Sequence, residues 1–137
     1  MAAPDVPPPR ISTAESQVMA VVWAAVEAGG AGAGVEAILA AAGPANGWGE
    51  ATVRTLIHRL IRKGAPRSER RRGLVGYAPL VSREAWLSAE SQGLVDRLFG
   101  GQLAPLVAHF TRTRAVSAQD LARLRRLVAD LDAEEAD

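Results

Sequence analysis

The chain has 137 residues, enough for one ordinary domain or a small domain with an appended oligomerisation segment, and its 48% apolar but only 4% aromatic composition calls for a core of Ala, Val, Leu and Ile, which packed helices supply. The absence of cysteine excludes disulfides, thiol catalysis and Cys-based metal sites, and with no apolar run able to span a bilayer and no secretion-signal pattern a cytoplasmic location is expected. The formal net charge of +1 averages over two unlike regions: eight basic residues and one acid, Glu69, between Arg54 and Arg72, against six acids and Arg123, Arg125 and Arg126 between Asp120 and Asp137.

Residues 1–10, with four prolines in the first nine, read as a flexible tail. Ser12 with Glu15 forms a capping-box pattern, and Val18, Met19, Val22, Trp23 and Val26 recur at helical spacing up to Gly29-Gly30. The run "GGAGAG" (29–34) lacks the Lys-Ser/Thr of a phosphate loop and follows no strand, so it reads as a plain flexible connector. A short helix over 35–42 turns Val35, Ile38 and Leu39 inward, and "GPANGWG" breaks it.

The next helix runs from Glu50 to Gly64. At about 100° per residue, Val53, Leu56, Ile57, Leu60 and Ile61 share one side, Ala51, Thr55, His58, Arg59 and Arg62 the other, with Thr52 and Arg54 flanking. Small residues at the N-terminal end let a backbone approach a DNA major groove. Threonine can meet thymine methyls and base edges, and arginine can fork onto guanine or reach phosphate. A basic helix face is often merely solvated, so its neighbours decide. The preceding short helix makes a helix-turn-helix. Beyond the helix, "APRSERR" and "LVGYAPLV" form two extended runs around a basic, Gly-containing turn, a predicted hairpin in which Pro66 and Pro79 suit only end or edge positions. Its Arg67, Arg70, Arg71 and Arg72, with Arg62 and Lys63 of the helix, are placed to hold phosphates as a wing would.

From Ser82 onward the pattern is helical. Ser82 caps a helix carrying Trp86, Leu87, Leu94, Val95, Leu98 and Phe99; "GG" at 100–101 interrupts it. Leu103, Leu106, Val107 and Phe110 form a second stripe with Pro105 in its first turn, and Ser117 with Asp120 starts a third helix bearing Leu121, Leu124, Val128 and Leu131. Three thin helices carry more apolar surface than they can hide from one another, which points to pairing between chains. The end of the chain, 132–137, reads as a solvated acidic tail.

Four segments carry a resemblance. "ISTAESQVMAVVW", "GWGEATVRTLIHRLIRKGA", "YAPLVSREAWL" and "LVDRLFGGQLAPLVAHF" resemble successive signatures of the BlaI/MecI-type penicillinase-repressor family of bacterial transcription factors, over roughly residues 10–131. The resemblance implies a mainly α fold with a small β-hairpin: a winged helix-turn-helix domain over 11–81 and a helical dimerisation domain over 82–131. It implies a homodimer that represses by binding palindromic DNA operators, and, in some members, inactivation by a signalling protease. Thr52, Arg54, Thr55 and Arg59 match recognition-helix positions, whereas His58 stands where small polar residues are common. The bond aligned with the cleaved Asn-Phe pair is His109-Phe110, in which the Phe is kept and the Asn is not, so whether it is cut stays open. The Cys-rich tail of copper-responsive relatives is missing.

The remaining features read as structural. Trp23, Trp48 and Trp86 are expected to pack. His58 and His109 are too far apart in sequence and region to begin a metal site, and no Ser-His-Asp spacing or paired carboxylates argue for an enzyme. No cofactor is expected. The rival reading is a winged helix whose basic surface docks an acidic protein.

Overall fold

The computed structural model describes residues 8–113 and 116–136. Most of the expected tail, residues 1–7, lies outside that range; Pro8, Pro9 and Arg10 form no regular element. Six helices and one hairpin follow in the order α1 (Thr13–Glu27), α2 (Val35–Asn46), α3 (Glu50–Lys63), β1 (Pro66–Arg71), β2 (Leu74–Pro79), α4 (Arg83–Phe99), α5 (Leu103–Thr113) and α6 (Ala118–Ala136). The last helix thus includes most of the acidic segment, of which residues 132–136 are exposed. The chain divides into two compact units between Ser91 and Gln92, within α4.

In the first unit the helix starts follow local chemistry. Ser12 Oγ accepts from the Glu15 N–H at 3.1 Å, and the Glu15 carboxylate accepts from the Ser12 N–H at 2.7 Å, closing the capping box of α1. Ser82 Oγ likewise accepts from the Ala85 N–H at the start of α4. The core joins Val18, Met19, Val22 and Trp23 of α1 to Ile38 of α2 and Val53, Leu56, Ile57 and Leu60 of α3. Removing such side chains from water supplies most of the drive to fold. Val26 and Ile61, expected on the buried faces, lie at the margin and stay exposed.

Two segments differ from the sequence expectation. Helix α2 does not break at Gly43-Pro44 but continues to Asn46. Proline removes one donor and clashes with the preceding turn, yet here the end of the helix is rebuilt around it. The Gly47 and Trp48 N–H groups both donate to the Gly43 carbonyl, and Asn46 Nδ2 donates to the Ala42 carbonyl. The glycine-rich connector is also more than a tether. The Ala33 N–H donates to the Tyr77 carbonyl at 3.0 Å and the Tyr77 N–H donates to the Ala33 carbonyl at 2.8 Å, so one connector residue pairs with β2. A Cβ on Gly32 would lie 2.0 Å from the Tyr77 carbonyl oxygen, so this approach requires glycine.

β1 and β2 are antiparallel, with register from Pro66 opposite Pro79 to Arg71 opposite Leu74. Both prolines therefore sit at strand ends. The hairpin stands directly after α3, which stops at the left-handed Gly64. A helix, a connector bridged to β2 at Ala33, two helices and a hairpin in this arrangement make a winged helix-turn-helix. At its far side Trp23 is buried, its Nε1 donates to the Val81 carbonyl at 2.8 Å, and its ring meets Trp86 of α4 at 5.5 Å. All three tryptophans pack on or against the core, Trp48 at the loop before α3.

In the second unit the end of α4 is joined to α5 by a turn at Gly100-Gly101, and α6 follows. Asp120 N–H donates to Ser117 Oγ at the start of α6, and Pro105 lies in the first turn of α5. No residue of α4, α5 or α6 is fully buried in the single chain.

Candidate nucleic-acid interface

Helix α3 separates its two faces cleanly. Val53, Leu56, Ile57 and Leu60 are buried, and Ala51, Thr52, Arg54, Thr55, His58, Arg59 and Arg62 are all exposed. Burial of the first set fixes the roll of the helix, and so fixes which side chains can meet a ligand. Thr55 Oγ1 donates to the Ala51 carbonyl at 3.0 Å, which leaves its oxygen as an outward acceptor, and Arg54 lies 3.5 Å from Glu50 one turn earlier. That pair is solvent-exposed on both sides and holds Arg54 weakly.

Lys63 departs from the expected set. The sequence places it with the phosphate-holding cations, but its Nζ reaches Glu15 Oε1 at 2.6 Å instead. Glu15 is only 2% exposed. Burial pushes its carboxyl pKa up, but hydrogen bonds from Lys63 and from Ser12, with the charge of Lys63, outweigh burial and hold it below the usual glutamate value. A buried carboxylate without a cation would be costly, so Lys63 is committed to the protein. Sequence reasoning found Glu15 as a capping residue and missed its second role, because nothing local to either residue marks the other.

In the wing, Arg67, Arg70, Arg71 and Arg72 are all exposed. Glu69 lies between them and pairs with both Arg67 and Arg71. Among the described residues Arg70 and Arg72 have no carboxylate within salt-bridge reach. A groove opens between residues 31–37, the start of α3 and the hairpin; its charged lining is Glu36, Glu50, Arg54, Glu69 and Arg71, acids and bases in near balance. The net positive surface is therefore the outer face of α3 and the wing arginines facing away from Glu69. Among the described residues, no three His, Asp or Glu side chains gather as metal ligands would, and no helix is long and apolar enough to cross a membrane.

The residues expected to pair chains occupy α4, α5 and α6. Leu94, Leu98, Leu103, Phe110 and Val128 are exposed, and Phe99, Leu106, Val107, Leu121 and Leu124 are half-buried. His109 and Phe110 are adjacent and exposed on α5, their rings edge to face at 6.1 Å.

A family model described as penicillinase repressor matches residues 11–130. The penicillinase repressor of Bacillus licheniformis is 23% identical over 122 residues, covering 89% of this chain and 91% of that protein. An uncharacterised 16.5 kDa protein in the ptsI 3' region of Latilactobacillus sakei is 25% identical over 119 residues, covering 87% and 78%. The solution structure of monomeric B. licheniformis BlaI in complex with the blaP half-operator overlaps 57% of this chain and 89% of that one, at 26% identity and a TM-score of 0.48. With its winged helix-turn-helix and a family match along nearly its whole length, the chain belongs to the penicillinase-repressor family of DNA-binding transcriptional regulators.

Proposed function

We propose that this protein is a sequence-specific repressor that binds palindromic duplex DNA as a homodimer. The observation that carries the reading is α3, where one face is sealed in the core and the other offers Ala51, Thr52, Arg54, Thr55, His58, Arg59 and Arg62 together. Threonines near the helix N-terminus read base edges and thymine methyls. Arg54 and Arg59 reach guanine, and Arg62 with the wing arginines holds phosphates. Lys63 is not in this set.

Two chains pair through α4, α5 and α6. Their unburied apolar side chains, Leu98, Leu103, Phe110 and Leu131 among them, are more than a soluble monomer leaves in water. Two-fold pairing presents two recognition helices to two half-sites, about one helical turn or a small multiple of it apart. Release follows from cutting the dimerisation helices at His109-Phe110, a bond exposed on α5. Recovery of the intact chain from derepressed cells would remove that last step.

Retardation of genomic fragments tests the reading as a whole. A few fragments should be retained at moderate salt while the bulk runs free. Equal retention of all fragments, or a clean monomer by sedimentation at micromolar concentration, would contradict it.

A further inference from the structure

The joint between the winged helix and α4 is bonded at every residue. Only Leu80, Val81 and Ser82 separate β2 from α4. The Leu80 N–H donates to the Ala65 carbonyl at 2.8 Å, and the Val81 carbonyl accepts from Trp23 Nε1 at 2.8 Å. Ser82 caps α4, its Oγ accepting from the Ala85 N–H and its carbonyl from the Trp86 N–H. Connectors between domains are ordinarily exposed and crossed by few contacts, so that the domains move against each other.

The start of α4 adds a clamp. Trp86 is half-buried, and its ring lies 5.5 Å from that of Trp23 at a tilt of 34°. The Arg83 guanidinium sits over the Trp23 ring, 5.7 Å from its centroid. Arg83 Nη2 donates to the Ala20 carbonyl at 3.3 Å, and Nε forms an ion pair with Glu27 Oε1 at 3.2 Å. Among the described residues no acceptor meets the buried Trp86 Nε1. A buried donor left unpaired costs stability, so the ring and not the N–H holds Trp86 in place. Helix α4 begins in the first compact unit and runs on as one helix to Phe99 in the second.

We propose that Trp86 and Arg83 are positioning residues: with Trp23 they lock the first turns of α4 to the winged helix, so that the protein accepts one spacing of its half-sites and rejects neighbouring ones. The proposal rests on the homodimer reading above and adds to it the residues that set the spacing. Each base pair inserted between half-sites turns one against the other by about a tenth of a helical turn. A loose joint would absorb that rotation, and a clamped one does not.

The test uses the full chain and the tightest palindromic duplex it selects from a random library, remade with one or two base pairs added or removed between the half-sites. The parent should bind each remade duplex at least about tenfold more weakly than the original, because a half-site that cannot be reached adds no avidity. Trp86→Ala should bind an isolated half-site as the parent does, yet lose no more than about threefold across the spacing series. Trp86→Phe keeps a ring and drops the unpaired N–H, so it should restore the parent's profile. Arg83→Gln should broaden the profile as Trp86→Ala does. A merely structural role would weaken every duplex, the half-site included, by one common factor. That result overturns the proposal, as does a Trp86→Ala protein that keeps the parent's profile. A parent indifferent to spacing sinks this proposal alone, whereas a selection that yields no paired half-sites sinks the homodimer reading with it.

Discussion

The ammonium of Lys63, at the end of α3, stands 2.6 Å from the carboxylate of Glu15 in α1. One carboxylate oxygen thus serves both the capping box of α1 and the last turn of the proposed recognition helix. The pair ties the end of α3 to α1, 48 residues earlier in the chain.

Replacing Glu15 with Gln keeps the shape and removes the charge, so the fold should lose about 1–3 kcal/mol in equilibrium urea unfolding. The pH dependence has a definite sign. Because the folded carboxyl pKa is lowered, its contribution is fully present above the ordinary glutamate value and is lost as pH falls from there through the folded value. The parent's stability should therefore fall more steeply over that acid range than that of Glu15→Gln. Parallel curves would show that the pair contributes nothing.

Gly32 should tolerate no side chain. In Gly32→Ala the new methyl would collide with the Tyr77 carbonyl and break the pairing of Ala33 with β2. A loss of about 1–3 kcal/mol is expected by thermal or urea unfolding, with the hairpin amides exchanging faster. Unchanged exchange at Tyr77 would contradict the bridge.

How much of this is legible in the sequence depends on range. Helix starts at Ser12, Ser82 and Ser117 were readable because a cap is a bond between residues three apart. The two faces of α3 were readable because a core on one side imposes a 3.6-residue period. By contrast, the bridge from Ala33 to Tyr77 involves one residue per strand and leaves no period at all. The extension of α2 past Pro44 was hidden because Gly-Pro lowers helix propensity, while the bonds converging on the Gly43 carbonyl that rescue it come from the fold. Lys63 looked like one more cation in a basic run, since the carboxylate that claims it lies in another helix.

The wing arginines should divide by their relation to Glu69. Arg70→Ala removes a cation with no carboxylate beside it and should weaken binding to all sequences, lowering the salt slope by about one. Arg71→Ala should also act on all sequences about equally but by less, because Glu69 already offsets part of its charge. Glu69→Gln should tighten binding to random DNA. Titrations at several salt concentrations check all three, and an unchanged Glu69→Gln would show that the ion pairs do not restrain the wing.

Charge placed in the apolar stripes should separate the chains. Leu103→Glu, at a position 63% exposed in the single chain, should give a folded monomer by sedimentation. It should bind a half-site as the parent does and lose the added affinity of a complete palindrome. A dimer that survives this change would move the contact elsewhere.

Competition on duplex DNA tests the central claim, base reading by the outer face of α3, most directly. A labelled duplex selected from a random pool is challenged with unlabelled copies of itself or of a scrambled duplex of the same composition. The account predicts that the scrambled competitor is at least about a thousandfold less effective, and that Arg59→Ala narrows the gap. Equal displacement by both competitors would mean that the basic face of α3 answers to charge alone, and would contradict it.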